Sequence, residues 1–231
     1  MRESLLTIPI SEVFEPKCGC PICRMYNTLE DRCGEYIMGA AMMESDIRME
    51  TNRLGFCKDH FDLLLKQRNR LSLALMLDTH LNEIKKNIFD KKGLFAAKDA
   101  KARKIEELEN SCFVCSKISW GMERMLITVV TLFFEEKNFR SLFNEQEMLC
   151  MPHYRMLCET ALQKLSKKEA PIFIKAATEL IENYLNTLNS DIHHYCSMYD
   201  YRNSGPDADW GNSKDSIERA IGFLTAQVMN D

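Results

Sequence analysis

The chain has 231 residues, 45% of them hydrophobic and 28% charged, an ordinary globular composition with apolar residues enough for one core or two small ones. Its 30 basic residues against 34 acidic ones leave a net charge of −4, which argues against a dedicated nucleic-acid binder. Glycine and proline are scarce at 9 and 6, while Met, Leu, Glu and Lys abound, a balance that favours helices.

Residues 1 to 17 read as an extended arm with a short turn of helix at Ser11 to Phe14, because the residue before Pro9 avoids the α region. The stretch has no long apolar core, so no export signal is expected and the chain is assigned to the cytoplasm. Cys20-Pro21-Ile22-Cys23 follows, with Cys18 close enough to stand as an alternative ligand. Met25, Leu29, Cys33, Tyr36, Ile37 and Ala40 then recur at helical spacing, which places Cys33 in a core rather than at a site. A less regular stretch, Met43 to Leu54, leads to Gly55, whose freedom suits a sharp turn before Cys57-Lys58-Asp59-His60. Helix continues from His60 through Leu65 and breaks at Gln67 to Arg70. Leu71, Ala74, Leu75, Leu81, Ile84 and Ile88 mark the buried stripe of the next helix, with His80 on or beside it as a hydrogen-bonded structural residue.

Residues 85 to 104 gather Lys85, Lys86, Lys91, Lys92, Lys98, Lys101, Arg103 and Lys104 against only Asp90 and Asp99. The acids Glu106, Glu107 and Glu109 follow. This reads as a solvated linker helix, with nucleic-acid binding through residues 85 to 104 as the alternative.

A second Cys-x-x-Cys, Cys112-Phe113-Val114-Cys115, opens a helix striped by Ile118, Met122, Met125, Leu126, Val129, Leu132 and Phe133. The apolar tract from Met125 to Phe134 is interrupted by Thr128 and Thr131 and is too short to span a bilayer, so no membrane role is expected. Phe139 to Met148 joins it to Cys150-Met151-Pro152-His153, from which Tyr154, Leu157, Ala161 and Leu165 continue as a helix face, with Cys158 packing beside it. After a turn at Lys167 to Pro171, a long helix from about Ile172 to Tyr195 carries Phe173, Ala177, Leu180, Ile181, Tyr184, Leu188 and Ile192. His193, His194 and Cys196 cluster at its end. They form either a capping group or, with Asp191, an accessory metal site, although adjacent helical residues point about 100° apart. A loop over residues 199 to 211 precedes a last helix capped by Asn212 or Ser213, with Ile217, Ala220, Ile221, Leu224 and Val228 on its apolar side and Trp210 as its anchor.

The two Cys-x-x-Cys … Cys-x-x-His cassettes are the sharpest signal. The gap from Cys23 to Cys57 and the gap from Cys115 to Cys150 differ by one residue, which points to an internal repeat. Read sequentially, Cys20, Cys23, Cys57 and His60 form one site, and Cys112, Cys115, Cys150 and His153 form the other. Three thiolates and one imidazole make a closed tetrahedral set for structural zinc, two ions in all, with no open position for catalysis. Such a site is near −1 in charge, so Arg24, Lys58, Lys117 and helix N-termini are expected nearby, with further donors fixing the histidine tautomers. Ten cysteines in a cytoplasmic protein suit metal or free thiols better than disulfides.

Cys20-Pro21-Ile22-Cys23, the run Arg48 to His60 with its Gly-Phe-Cys-x-x-His block, Leu71 to Leu77, and the tail Asp209-Trp210 with Asp215 to Arg219 together resemble an uncharacterised bacterial family whose members share two such cassettes. The resemblance spans nearly the whole chain and brings no established activity.

The expected architecture is all-α: a first zinc-clamped helical module (residues 1–90), a basic/acidic linker helix (91–110), a second zinc-clamped module (111–197), and a loop with a C-terminal docking helix (198–231). The expected role is a non-enzymatic interaction or scaffold protein with a protein partner. A thiol/zinc redox sensor is the alternative. No Ser/His/Asp order, phosphate loop or open metal triad supports an enzyme.

Overall fold

The helix-rich composition yields eleven α-helices and no strand among the described residues. The structure, a computed structural model, describes residues 7–90, 100–203, 205 and 208–226. The helices are α1 (Thr7–Phe14), α2 (Pro21–Met38), α3 (Ser45–Leu54), α4 (Lys58–Lys66), α5 (Arg70–Ile84), α6 (Ala100–Glu109), α7 (Phe113–Glu135), α8 (Lys137–Asn144), α9 (Met151–Lys164), α10 (Glu169–Ser197) and α11 (Ser216–Thr225). A 3₁₀ turn at Ala40–Met43 precedes α3, and a π turn at Lys85–Phe89 extends α5. Residues 1–6 of the arm, Lys91, Lys92, Lys98 and Asp99 of the linker, and Val228 of the last helix, all named above, lie outside the described residues.

The chain forms two compact units that are not its two halves. One consists of residues 1–26 and 123–231, the other of residues 27–122. Both divisions fall inside helices, α2 and α7.

In the unit formed by the chain ends, the core is aromatic. Phe133 meets Phe143 at 5.3 Å and Phe173 at 5.1 Å between ring centroids, and Phe14 meets Phe139 at 5.0 Å. Phe14, Phe133, Phe143 and Phe173 are essentially solvent-free, and each such side chain contributes about 1.5–3 kcal/mol on burial. The start of α10 is set by a reciprocal pair. The Glu169 amide donates to Ser166 Oγ (3.2 Å) and the Ser166 amide to Glu169 Oε2 (3.1 Å), a capping box that satisfies two otherwise orphaned donors. α11 is held by Phe223, which is buried against Tyr184. Arg219 also holds it, donating to Asp191 (2.9 Å) and Asp215 (3.0 Å).

In the central unit, His80 is buried and its Nδ1 bonds Asn52 O at 2.7 Å, the structural role expected for it. Gly55 ends α3 at φ +59°, and a Cβ there would stand 2.8 Å from His80 Nε2. Both the left-handed backbone and the close approach therefore demand glycine.

Several sequence expectations need correction. The arm is not extended throughout: α1 runs through Pro9, because a proline in the first helical turn gives up only an amide that lacks an intrahelical partner anyway. The less regular stretch from Met43 is mostly α3. On α5 the buried side is Ser72, Leu73, Met76 and His80, while Leu71, Leu75 and Leu81 are exposed. The helical period was correct, but apolar residues surround this helix and polar anchors chose the face. On α11 likewise Ser216 and Phe223 are buried, and Ile217, Ile221 and Leu224 are exposed. No cap from Asn212 or Ser213 is made: Ser213 Oγ donates to Trp210 O (2.6 Å) and Asp215 holds the N-cap position.

Candidate metal centres

Four short segments build the sites in one way. Cys20, Cys57, Cys112 and Cys150 each stand just before a helix. Their carbonyls accept the first intrahelical bond, from Arg24 (3.3 Å), Phe61 (2.9 Å), Ser116 (3.1 Å) and Tyr154 (2.9 Å) respectively. Each is thus an N-cap residue, and Cys23, His60, Cys115 and His153 follow three residues later in the first turn. The offset brings both side chains of a segment to one side of the helix start. Every cluster joins two such starts, so two helix N-termini direct their positive ends toward the sulfurs.

The pairing is not the sequential one. The structure gathers Cys20, Cys23, Cys150 and His153 in one cluster and Cys57, His60, Cys112 and Cys115 in the other. The sequence-based partition of Cys20/Cys23 with Cys57/His60, and of Cys112/Cys115 with Cys150/His153, is therefore corrected. So is the picture of two successive modules, each clamped by its own cassette. Helix length supplies the reason. The 18 residues of α2 advance about 27 Å and the 23 of α7 about 34 Å. The next helices, α3 with 10 residues and α8 with 8, return about 15 Å and 12 Å. The chain therefore does not come back to the Cys-x-x-Cys it has just left, and the sites nest instead. Cys57 and His60 meet Cys112 and Cys115, while Cys20 and Cys23 wait for Cys150 and His153.

The distances suit a tetrahedral ion. Metal–sulfur bonds of about 2.3 Å and metal–nitrogen bonds of about 2.0–2.1 Å place sulfurs about 3.8 Å apart and sulfur about 3.5 Å from nitrogen. Cys23 and Cys150 sulfurs are 3.7 Å apart, and His153 Nδ1 lies 3.1, 3.3 and 3.7 Å from Cys150, Cys23 and Cys20. Cys57 and Cys115 sulfurs are 3.9 Å apart, and His60 Nδ1 lies 3.0, 3.3 and 3.4 Å from Cys57, Cys112 and Cys115. In both clusters Nδ1 faces the sulfurs.

Ionisation is uneven within each set. Burial raises the Cys20 thiol, but hydrogen bonds with Cys150, Cys23 and His153 outweigh it and hold the thiol well below its ordinary value. Bonding with Cys20, foremost, pushes Cys150 up to about 12. In the other cluster burial is again outweighed, by His60 and by the backbone amides of Cys115 and Cys57, and Cys112 falls to about 6. Burial and then Cys112 push Cys115 up to about 12, while Cys112 is the main cause raising His60 to about 9. Thiols this close resist joint ionisation, and a bound cation is what lets all three ionise.

The surroundings differ. In the first cluster Gly19, at φ +63°, turns the chain into Cys20, and its amide donates to Glu147 Oε2 (2.6 Å). Arg24 stitches the preceding loop, donating to the carbonyls of Val13 (3.0 Å), Pro16 and Cys18. In the second cluster the approach of the two helix starts is fixed by backbone. The Phe113 amide donates to Gly55 O (2.9 Å) and Ser111 Oγ to Leu54 O (2.7 Å). There His60 Nε2 faces Glu30 Oε1 at 3.0 Å, which assigns the proton to Nε2 and leaves Nδ1 free to ligate. Spacing did not single out Glu30, although it lies on the helix that Cys23 opens. Of the cations expected nearby, Lys58 pairs with Asp62, and Lys117 with Glu50 at 2.7 Å.

Cys18 is exposed and outside both clusters. His193, His194 and Cys196 join no metal group among the described residues. His194 Nε2 bonds Asp209 O (3.0 Å), and Asp191 serves Arg219 and Asn212. Trp210 lies against Tyr195 and Tyr199.

Fold and sites together define an all-α protein with two Cys3His clusters able to hold metal. The chain belongs to the family described as a family of unknown function (DUF6062), which matches residues 1–231. No curated protein and no solved structure matches it. Among the described residues no helix is long and apolar enough to cross a membrane.

Proposed function

We propose that this protein is a non-enzymatic zinc protein whose two ions hold helix starts together so that its surfaces can serve a protein partner. The observation that carries the reading is the completeness of each donor set, three sulfurs and one imidazole nitrogen within 4.8 Å of one another. Tetrahedral zinc held by four protein ligands has no place for a reacting water, and that closure supports a structural rather than a catalytic ion. None of the ten cysteines is joined in a disulfide, which suits a reducing compartment such as the cytoplasm. Metal analysis of protein purified without chelator tests this: two equivalents of zinc per chain are expected, with loss of helicity on their removal. One equivalent or none, or unchanged stability after complete extraction, overturns it.

A second reading, a thiol/zinc redox sensor, draws on the exposure of Cys115. Mild peroxide separates the two: a sensor releases zinc from Cys57, His60, Cys112 and Cys115 reversibly, and a scaffold retains it.

A further inference from the structure

α6 is an unusual helix. It buries no residue, and its charges run against its own dipole. Lys101, Arg103 and Lys104 stand in the N-terminal half, and Glu106, Glu107 and Glu109 in the C-terminal half. Cations at a helix N-terminus and anions at its C-terminus both weaken an isolated helix, and basic-before-acidic is the poorer order for pairs within it. Lys101, Ile105 and Glu109 stand four residues apart and share one stripe. All three are exposed, Ile105 by 37%. Turned end over end about Ile105, the stripe places a cation where an anion stood. It is therefore complementary to itself in an antiparallel arrangement, in which the two helix dipoles also oppose. Apolar surface continues beside it: Phe89 is 53% exposed, with Lys101 Nζ 5.6 Å from its ring centre. Lys104 Nζ, on another side of the helix, donates to Asn87 O (2.9 Å).

We propose that α6 is a self-association surface on which a second copy of this chain packs antiparallel about Ile105, Lys101 of each protomer against Glu109 of the other. A point-symmetric pair needs such an isologous patch, and charge complementarity sets its register. A ten-residue helix is about 15 Å long and covers less than the roughly 800 Å² per partner of a standard interface. The association is therefore weak and falls as salt screens the charge pairs.

Sedimentation equilibrium of the metal-loaded full chain tests the proposal. The wild type is expected to dimerise reversibly at low salt. Lys101→Glu and Glu109→Lys each place like charges at both ends of the pair and should weaken association by about tenfold or more. Mixing the two variants should restore it, as should combining both changes in one chain. Each substitution brings the charges of α6 into line with its dipole, so loss of the helix does not explain the result. Helicity and metal content, measured alongside, are expected to be unchanged. A wild type that stays monomeric at its highest soluble concentration overturns the proposal. So do variants that associate like the wild type, and a mixture that fails to recover. Salt-sensitive binding of duplex DNA that Lys101→Glu removes, with no self-association, assigns the cationic end to nucleic acid and equally ends it.

Discussion

The two clusters share their donors and their local construction yet differ in how they meet solvent. Cys20, Cys23, Cys150 and His153 are all buried, in a unit with a closely packed aromatic core. In the other set His60 and Cys112 are buried, Cys57 is half-buried and Cys115 is exposed. The first set closes the longer of the two loops, from Cys23 to Cys150. The second closes the shorter one from His60 to Cys112. Loop-closure entropy grows only slowly with length, so the distinction between the sites lies in solvent access more than in chain topology. Identical ligands thus give a site sealed by packing and a site with one open edge.

The largest effect is expected on the sealed site. Cys150→Ser leaves three buried donors without a complete set, and the loss of a structural ion costs on the order of 3 kcal/mol or more. Metal content should fall by one equivalent, and hydrogen exchange should rise in residues 7–26 and 123–203 while residues 27–90 keep their protection. A uniform rise over both units would erase the contrast. Cys57→Ser is the matching change at the open site. It should loosen residues 27–122 and cost less, about 2–3 kcal/mol, since Cys57 is already partly solvated. Equal melting-temperature losses for the two variants would show that exposure does not grade the sites.

Gly55→Ala acts one step away from the metal. It forces a side chain into the left-handed region and against His80 Nε2, where a Cβ would stand 2.8 Å away. A cost of about 1–3 kcal/mol follows. Thermal melts check the size, and metal titration should show weaker binding at the Cys57 cluster alone, because Gly55 O also receives the Phe113 amide beside Cys112.

Residue type and spacing point to the donors, but the pairing among them is hidden. Residue type and spacing were enough to pick out four helix-start segments, because an N-cap cysteine and a ligand three residues on form a local motif. Pairing among them is tertiary. All four segments present the same geometry, so a Cys-x-x-Cys fits either Cys-x-x-His, and the near-equal gaps favoured the wrong partition. Only the lengths of α2 and α7 relative to α3 and α8 argue for nesting, and the irregular apolar pattern from Met43 to Leu54 conceals α3. Burial faces failed for a related reason. α5 has leucines all round, so periodicity could not choose between Leu71 and Leu73, and the hydrogen bond from His80 to Asn52 decided it. The Ser166–Glu169 box, by contrast, is local: Ser-x-x-Glu before an apolar run marks a helix start where the lysines and Pro171 suggest a turn.

Glu30 offers the finest test of what separates the sites. Its carboxylate is 27% exposed and faces an imidazole that is 4% exposed, so it holds the His60 ring from outside the donor set. Partners of this kind typically tune metal affinity by about 10–100-fold. Glu30→Gln keeps the shape and a hydrogen-bonding atom but removes the negative charge that makes Nδ1 a better donor. Competition with a chromophoric chelator should then resolve two classes of ion. The ion bound by Cys57, His60, Cys112 and Cys115 should be weakened by about tenfold, while the ion bound by Cys20, Cys23, Cys150 and His153 is unchanged. Global stability with both sites filled should hardly move, because no ligand and no core contact is lost. If both classes weaken alike, Glu30 supports the fold at large rather than one histidine. If neither does, the open edge at Cys115 alone distinguishes the two sites.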